Sequence, residues 1–260
     1  MKIDKIIFSS DDSHYLDFWK INSEITLKKL GITPVLFHIT DRDTDFYEDE
    51  FGLVKKVKKL DWCSTSFQSQ IIRMFATKFF PDEVCMTSDI DMILFNKSYL
   101  ENNISSINDD NDLVILNSDA YDDKRPECVG MYSGNRYPIC YVIGKGKTFE
   151  EIIKNNVTFE EYCHRLFDRN QSWDTDELYF GEMLSINKSI KVHKIKRGYS
   201  SNFHAPQRIE KYMFNGSNEF YKLNLNGYID INSFIDCHCK GPYSENKYLI
   251  DKIKNMILND

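Results

Sequence analysis

Short apolar runs and helical periodicity alternate through the first part of the chain. A β-branched run over residues 2–8 predicts a buried strand, and the polar cluster at 9–13 predicts the loop that ends it. Residues 15–30 carry aromatic and aliphatic side chains at helical spacing, and Gly31 follows as a helix stop. The next apolar run, over 35–39, predicts a second strand.

The same order of elements repeats up to residue 95. A short strand is predicted over 53–60, a helix over 68–80 that Pro81 closes, and two more strands over 84–87 and 92–95. Strands that alternate with helices in this way favour a mainly parallel sheet covered by helices on both faces, so the predicted fold class is α/β. Ligands of such sheets bind beyond the carboxyl ends of the strands.

Beyond residue 110 the alternation weakens. We expect strands over 113–116, 137–143 and 190–195, a helical segment over 149–167, and an amphipathic helix over 246–258 that packs on the core. The polar stretch 119–135 is rich in turn-forming residues and predicts a mobile loop. The Gly-Lys-Gly-Lys sequence at 144–147 lacks the phosphate-loop pattern and is interpreted as a turn. No linker divides the chain, so a single domain is predicted.

Composition narrows the functional classes. The 260 residues are 42% hydrophobic and 28% charged, which is ordinary for a globular domain. The 33 basic and 40 acidic residues are interspersed and give a net charge of -7, so no nucleic-acid partner is expected. No apolar window is long enough to span a bilayer, and no signal peptide is expected. The 7 cysteines lack regular spacing and are typical of free thiols, which predicts a cytoplasmic location.

The most informative local sequence is Asp89-Ile90-Asp91, which follows one apolar run and precedes another. Two carboxylates at a strand end repel each other and lose hydration unless a cation compensates their charge. Carboxylate oxygens favour Mg2+ or Mn2+, ions that bind through one or two carboxylates and substrate phosphates. We therefore predict that Asp89 and Asp91 hold a divalent metal ion. Solvated loop carboxylates are the simpler alternative for an isolated Asp-x-Asp.

Three parts of the chain together resemble a known family. Residues 6–15, the helix that bears Arg73, and residues 88–91 are similar to the GT-A fold glycosyltransferases, in particular to the retaining family 8 type related to bacterial galactosyltransferases and glycogenin. The resemblance implies a Rossmann-like sheet in one domain, with a nucleotide-binding half at 1–100 and an acceptor-side half at 101–260. It also implies a Mn2+- or Mg2+-dependent, retaining transfer of a sugar from a nucleotide diphosphate sugar, preferably UDP-linked, to a hydroxyl of a glycan or protein.

The resemblance also assigns the nucleotide-binding residues. The loop after the first strand would hold the base through Ser9, Asp11 and Ser13, and Arg73 would face the nucleotide sugar. Each assignment has a simpler alternative, because the loop residues also suit a cap for the next helix and the arginine suits a surface salt bridge.

The segment Asp-Cys-His-Cys-Lys-Gly-Pro near the C-terminus resembles the family's His-x-x-Gly-Pro segment. The resemblance implies that His238 joins the two aspartates as the third metal ligand and that Gly241 lies at the donor. The family's diphosphate-binding lysine is not matched, because Ser244 stands in its place; Lys240 and Lys247 flank that position and are both candidates. A zinc site is a weaker alternative, since no second Cys/His cluster is spaced to complete one.

The segment Trp-Asp-Thr-Asp-Glu-Leu at 173–178 resembles the family's Asp-Gln-Asp-x-Leu-Asn motif. Asp174 and Asp176 match, whereas Thr175 replaces the glutamine that lies beneath the anomeric carbon in retaining members. This departure leaves the stereochemistry open. In the inverting alternative, Asp174, Asp176 or Glu177 takes the proton of the acceptor hydroxyl as a general base. In a purely structural alternative, the acidic residues cap and stabilise a helix start.

Three other functions share parts of this pattern. A non-catalytic module that binds a nucleotide sugar or glycan is an alternative because of Thr175. A haloacid-type phosphohydrolase is disfavoured because its Asp-x-Asp follows the first strand and precedes Gly-Thr, and a nucleotidyltransferase because no glycine-rich basic loop follows the first strand. In the favoured interpretation, the 119–135 loop closes over the donor and excludes water. The Phe, His and Arg side chains of 202–208 suit a sugar acceptor, although a turn is the favoured interpretation.

Overall fold

The central sheet is built outward from the first strand, β1 (Lys5–Ser10). The computed structural model of the chain describes residues 1–107, 111–121, 135–169, 171–198, 208–210, 230–239 and 241–259. β1 pairs in parallel with β2 (Thr33–Thr40) on one side, and β2 pairs in parallel with β4 (Leu53–Lys58). On its other side β1 pairs in parallel with β5 (Val84–Thr87). β1, β2 and β5 are almost wholly buried, as expected for parallel strands covered on both faces.

The remaining strands make the sheet mixed. β3 (Tyr47–Glu48) is an antiparallel edge strand on β4. β8 (Val142–Lys145) runs antiparallel to β5, β7 (Leu113–Ile115) runs antiparallel to β8, and β9 (Val192–Lys194) runs parallel to β7. The complete order is β3-β4-β2-β1-β5-β8-β7-β9. The predicted α/β class with a mainly parallel central sheet is confirmed.

Helices cover both faces of this sheet. Within the described residues they are α1 (Trp19–Ile25), α2 (Thr65–Phe75), α3 (Lys97–Ile104), α4 (Gly146–Ile153), α5 (Phe159–Phe167), α6 (Thr175–Ile186) and α7 (Tyr243–Leu258). Turns of 3-10 or π geometry extend α1 and α2 at Leu16–Phe18, Thr26–Leu30 and Ala76–Phe79, and a separate 3-10 turn at Ile231–Ser233 precedes β10. None of the helices in the described parts of the chain combines the length and the apolar character that a bilayer crossing requires.

The alternation of side chains along β1 separates two apolar cores. Ile6 and Phe8 point into a core that α1, α3 and α7 close, while Ile7 points into a second core beneath α2, α4, α5 and α6. The predicted packing of the amphipathic C-terminal helix is confirmed, because Ile250 and Ile253 of α7 are fully buried in the first core. Both cores share one sheet, so the described residues form a single domain.

Two helices differ from the prediction. The segment predicted as one helix over 149–167 is two helices, because Lys154 adopts a left-handed φ of 53° that ends α4. Thr158 then begins α5 in a capping box with Glu161, in which each side chain accepts the backbone N–H of the other residue. α2 begins earlier than predicted, because the Ser64 hydroxyl accepts a backbone N–H of the first turn.

The interpretation of 144–147 as a turn is wrong. β8 runs through Gly144, and α4 begins directly at Gly146. A Cβ atom on Gly146 would collide with the backbone carbonyl oxygens of Thr77 and Phe80. The absence of a side chain at Gly146 therefore allows α4 to pack closely against the turn that follows α2. Sequence pattern alone does not reveal such a contact.

A second, two-stranded sheet lies beside the first. β6 (Met92–Leu94) pairs antiparallel with β10 (Asp236–His238), with His238 opposite Met92. The backbone N–H of Phe95 continues the contact by donating to the carbonyl of Ile235 at 3.2 Å. This pairing brings a segment near the C-terminus next to the loop that follows β5, and it positions one side of the site described below.

We expect Gly146→Ala to destabilise the fold by about 1–3 kcal/mol, because the added methyl group has no space between two backbone carbonyls. Thermal unfolding of the full chain measures the effect. Lys147→Ala is the matched control, since Lys147 is the next residue of the same helix and is exposed. Equal melting temperatures for both variants would contradict the close approach.

Candidate active site

A cleft of about 700 Å3 opens where the parallel strands β1 and β5 end. Its walls are the loop after β1, one face of α2, the loop between β5 and β6, the turn before α6, and β10. The predicted site residues that line it are Ser9, Asp11, Ser13, Arg73, Asp89, Asp91, Asp176, Glu177 and His238. Distant parts of the sequence thus meet at the sheet edge where α/β folds bind ligands.

The loop after β1 is held in place by α2. Asp11 Oδ1 accepts the N–H of Ser13 at 3.1 Å, and Asp11 Oδ2 accepts the hydroxyl of Thr65 at 2.7 Å. Ser9 Oγ donates to the carbonyl of Ser69 at 2.5 Å. Burial raises the pKa of Asp11, but the hydrogen bonds from Ser13 and Thr65 lower it by more, so the net pKa is below its usual value. The loop therefore presents the Asp11 carboxylate as a fixed, charged hydrogen-bond acceptor.

Hydrogen bonds from the Asn22 side chain fix the backbone of the loop that carries the Asp-x-Asp sequence. The buried amide of Asn22 donates to the carbonyls of Ile90 at 3.0 Å and Met92 at 2.8 Å. The side chains of Ile90 and Met92 pack in the core, while those of Asp89 and Asp91 keep 35% and 15% of their surface exposed. Both carboxylates therefore face the cleft from a rigid support.

β10 places His238 beside Asp91. The N–H of Cys239 donates to the carbonyl of Asp91 at 2.8 Å, and His238 Nε2 lies 3.3 Å from Asp91 Oδ2. The hydrogen bond with Asp91 raises the pKa of His238 above its usual value, against the effect of burial. The imidazole remains 51% exposed and lines the cleft.

Asp89, Asp91 and His238, at this end of the cleft, are of the side-chain types that bind divalent metal ions. Two carboxylates and an imidazole from one strand end and its neighbour form a donor set that Mn2+ or Mg2+ accepts. The structure brings Asp91 and His238 together, whereas it directs Asp89 to an ion pair with Arg73. Within the described residues, no three His, Cys, Asp or Glu side chains converge on one point. Completing the set requires Asp89 to exchange its arginine partner for the ion.

Arg73 links Asp89 to the acidic start of α6. Its guanidinium contacts Asp89 and donates to Asp176 Oδ2 at 2.9 Å. Gln70, one turn earlier in α2, donates to Asp176 Oδ1 at 2.9 Å and to the carbonyl of Trp173 at 2.5 Å. Burial raises the pKa of Asp176 and the positive charge of Arg73 opposes the rise, with a net upward shift. Arg73 is therefore a buried bridge rather than a surface ion pair.

A second arginine, Arg136, is shared by Asp174 and Glu177. Arg136 donates to Asp174 Oδ2 at 2.7 Å, and its Nε lies 3.3 Å from Glu177 Oε2. Asp174 is buried behind the cleft, whereas Glu177 lines it and accepts the hydroxyl of Tyr121 at 2.8 Å. Burial raises the pKa of Glu177, and the neighbouring carboxylate of Asp176 raises it further.

Thr175 is turned away from the cleft. Its side chain is fully buried, and its hydroxyl donates to the carbonyl of Ser172 at 2.8 Å. Asp174 occupies the N-cap position of α6, but its side chain makes no capping hydrogen bond. The capping interpretation therefore does not account for Asp174, although the acids of the first turn still interact favourably with the helix dipole.

Two residues predicted to bind the donor lie outside the cleft lining. Lys247 is exposed on α7, where its Nζ donates to Asp251 Oδ2 at 2.8 Å and to the hydroxyl of Tyr243 at 3.1 Å. Gly241 lies just before α7 and is also absent from the cleft wall. Outside the described residues lie Lys240, most of the 119–135 loop and most of the 202–208 stretch.

Several cleft residues were not singled out by the sequence: Gln70, Tyr121 and Trp173 all line the cleft. Arg208, the last residue of the 202–208 stretch that was considered for a sugar acceptor and interpreted as a turn, lines it too. The Trp173 ring is 70% exposed and packs over the guanidinium of Arg136 at 4.9 Å. Gln70 precedes Arg73 by about one helical turn, so its position on the same face was available as a signal. Tyr121 lies in a polar segment without periodicity, where only tertiary structure reveals its placement.

The comparisons with known proteins identify similar solved structures only. No protein-family model matches the chain, and no curated protein sequence matches it. The galactosyltransferase LgtC in complex with donor and acceptor sugar analogs is similar in structure at 12% identity, with 97% of this chain and 95% of that chain covered and a TM-score of 0.51. An active-site mutant of LgtC matches at 13% identity over 92% of this chain and 88% of that chain, with a TM-score of 0.49.

A third similar structure is the glycosyltransferase GlyE of Streptococcus pneumoniae TIGR4, at 11% identity and a TM-score of 0.44. It covers 98% of this chain, and the chain spans 63% of that protein. The likeness to the LgtC complex extends over nearly the whole of both chains. This chain therefore has the GT-A fold that its motifs predict.

Proposed function

We propose that this chain is a metal-dependent glycosyltransferase that moves a sugar from a nucleotide diphosphate sugar, preferably a UDP-sugar, to a hydroxyl group of a glycan or protein, with retention of configuration. The observation that carries the proposal is the single cleft in which the loop after β1, the two aspartates Asp89 and Asp91, and His238 meet. The GT-A fold supports it, because a galactosyltransferase with this fold holds donor and acceptor sugar analogs. The cytoplasmic location remains a prediction of the cysteine content.

The loop after β1 suits the base of the nucleotide. A pyrimidine edge with an N–H group needs a fixed acceptor, and Asp11 is charged and held by two hydrogen bonds. Ser9 and Ser13 line the cleft on either side of it and add hydroxyl groups. The cleft volume of about 700 Å3 is within the range of pockets that enclose ligands of this size.

The opposite wall suits the diphosphate. Asp89, Asp91 and His238 would hold Mn2+ or Mg2+, which when bound supplies positive charge to the leaving diphosphate. Arg73 is anchored by Asp176 at 2.9 Å, so its guanidinium keeps its place at the cleft when Asp89 turns to another partner. A cation fixed there stabilises negative charge that develops as the glycosidic bond breaks.

Asp176 is suited to electrostatic stabilisation rather than to proton transfer. Its two oxygens are already bound by Gln70 and Arg73, and only 1% of its surface is exposed. The anomeric carbon acquires positive character as the donor bond breaks. A carboxylate held in one orientation beside it stabilises that charge without changing its own protonation.

An inverting transfer is the second candidate, and the position of Glu177 favours it. Glu177 lines the cleft, whereas Thr175, at the place of the family's glutamine, is buried and points away. A raised carboxyl pKa brings a general base closer to neutral pH. Of the three acids predicted as bases, Asp174 does not line the cleft and both Asp176 oxygens accept hydrogen bonds, whereas Glu177 lines the cleft and accepts one from Tyr121, with Arg136 Nε at 3.3 Å from its other oxygen.

We expect the wild-type chain with Mn2+ to release nucleoside diphosphate from at least one nucleotide sugar of a panel, and EDTA to abolish the release. Asp91→Asn should slow the release by about 100-fold or more, because it removes a charged ligand from the metal site. Asp82→Asn, at an exposed aspartate outside the cleft, should leave the rate unchanged. Release that EDTA does not affect would contradict the metal assignment, and binding without release would favour the non-catalytic module.

We expect Glu177→Gln to stabilise the chain at pH 7–8. A raised pKa means that the folded state holds a proton that the unfolded state has lost, so stability falls as pH rises from the usual value of 4.5. The glutamine variant should gain about 2–4 °C in melting temperature at pH 8 and nothing at pH 4. Glu161→Gln is the control with the opposite sign, because hydrogen bonds from Thr158 lower the pKa of Glu161. If the difference in melting temperature between Glu177→Gln and the wild type were the same at pH 4 and pH 8, the interpretation of Glu177 as a buried acid with a raised pKa would be wrong.

The stereochemistry of the product separates the two candidate mechanisms. We expect NMR of the first product formed from an α-linked donor to show an α-linkage. We also expect Glu177→Gln to retain activity within about tenfold, since no general base is then needed at that position. A β-linked product, together with a loss of about 100- to 10,000-fold in Glu177→Gln, would replace retention with inversion.

A further inference from the structure

The wall of the cleft beside α6 carries an exposed aromatic ring. Trp173 lines the cleft and keeps 70% of its surface exposed, more than any other large apolar side chain among the described residues of that wall. An indole ring exposed inside a cleft gains free energy when a ligand covers it, so such a ring marks a binding surface. The inference from this ring rests on the proposed function and concerns the acceptor.

The backbone that carries the Trp173 ring is held from two helices. Gln70 of α2 donates from Nε2 to the carbonyl of Trp173 at 2.5 Å. Thr175 of α6 donates to the carbonyl of Ser172 from its hydroxyl at 2.8 Å and from its N–H at 3.2 Å. Thr175, at the place of the family's glutamine, therefore helps to fix the turn that presents the indole ring to the cleft.

A buried arginine joins Trp173 to a second ring of the cleft wall. The Arg136 guanidinium carbon lies 4.9 Å from the centre of the Trp173 ring and 3.4 Å from the centre of the Tyr121 ring. A guanidinium over an aromatic face attracts it through the ring quadrupole. Tyr121 also lines the cleft. The rings of Tyr121 and Trp173 therefore form one surface, here called the aromatic wall.

The aromatic wall lies at the reacting end of the cleft. The same nitrogen of Gln70 that binds the Trp173 carbonyl also donates to Asp176 Oδ1 at 2.9 Å, so Trp173 lies beside the acid expected near the anomeric carbon. The loop that suits the base is tied to Thr65, through Asp11. Thr65 precedes Gln70 by five residues in α2, about 7.5 Å along the helix axis. The ring is therefore placed for the acceptor rather than for the base.

The charges around the aromatic wall favour a neutral ligand. Arg136 donates to Asp174 Oδ2 at 2.7 Å, and its Nε lies 3.3 Å from Glu177 Oε2. If Glu177 is protonated, these three side chains are together neutral, and if it is ionised they are together negative. Neither state attracts a carboxylate or a sulfate on the acceptor.

We propose that the aromatic wall binds the acceptor, and that this acceptor is a neutral sugar of a glycan rather than a side-chain hydroxyl of a protein. A pyranose has a face of C–H groups that packs on an aromatic ring and a rim of hydroxyl groups that form hydrogen bonds. The exposed Trp173 ring suits that face, and Glu177, which lines the cleft beside it, suits a hydroxyl of the rim. A serine or threonine side chain offers no such face.

Tryptophan fluorescence tests the contact directly. The full chain with UDP and Mn2+ is titrated with the neutral methyl glycosides of glucose, galactose, mannose and N-acetylglucosamine, in both anomeric forms. We expect at least one glycoside to shift the emission to shorter wavelength, because it removes the exposed Trp173 ring from water. The shift should disappear in Trp173→Phe. It should remain in Trp62→Phe, the matched control, because Trp62 stacks on His164 and does not line the cleft.

Transfer kinetics with the same glycosides test the role of the ring in the reaction. We expect Trp173→Ala to raise the KM of the accepted glycoside by about tenfold or more, since the stacking surface is lost. The UDP affinity of Trp173→Ala, measured by calorimetry, should stay within twofold of the wild type. The accepted sugar oxidised at C6 to a carboxylate should have a KM about tenfold higher. Tyr248→Ala removes a 78% exposed ring of α7 and should change neither the acceptor KM nor the UDP affinity.

Three results would overturn the proposal. They are an unchanged acceptor KM in Trp173→Ala, an equal loss of UDP affinity in that variant, which would place the ring against the base, and transfer to serine- or threonine-containing peptides but to no glycoside. Thermal unfolding reports any loss of folding, and Trp173→Phe provides the folded comparison if Trp173→Ala is unstable. If no nucleotide sugar is turned over while a glycoside still shifts the Trp173 emission, the proposed transfer is wrong and the sugar site stands without it.

Discussion

The antiparallel pairing of β6 with β10 is the contact on which the rest of the site depends. β6 follows Asp91 directly, so a partner strand in fixed register carries its last residue, His238, to that carboxylate. The same pairing holds the 208–210 segment against the cleft, because Arg208 bridges to Asp236 in β10. Asn22 fixes the other side by binding two carbonyls around the Asp-x-Asp loop. The backbone around Asp91 and His238 is therefore fixed by strand pairing and by the Asn22 amide.

Charge balance is the second constraint on the site. Buried arginines are placed between pairs of acids, so that Arg73 faces Asp89 and Asp176 while Arg136 faces Asp174 and Glu177. Each arrangement leaves an excess of negative charge, and burial raises the pKa of Asp176 and of Glu177, the latter also through the neighbouring carboxylate of Asp176. A cation at the cleft relieves this excess, and an anionic ligand adds to it. Metal and diphosphate are therefore expected to bind favourably together, because each offsets the charge of the other.

Sequence pattern predicted the parts of the fold that local physics determines. The apolar runs that became β1, β2 and β5 are buried on both faces, and Gly31 ends its helix with a φ of 72° as a helix stop requires. Asp89 and Asp91 were recognised because two carboxylates at a strand end are costly without a cation. His238, however, was linked to them only by resemblance. The contact of His238 with Asp91 depends on the register between β6 and β10, and residue spacing in the sequence does not predict that register.

The failures of sequence reasoning have a common cause, since each concerns a contact between distant segments. Gly146 resembles a turn residue in sequence, but in the structure it lies against the backbone carbonyls of Thr77 and Phe80. The motif at the start of α6 aligns Thr175 with a functional glutamine, yet helix packing buries Thr175 and turns Glu177 to the cleft. Each step along a helix rotates the side chain by about 100°, so Thr175 and Glu177, two residues apart, point in different directions although they lie in one motif. At 12% identity to a protein of the same fold, the chemistry of this site must therefore be decided from its own geometry.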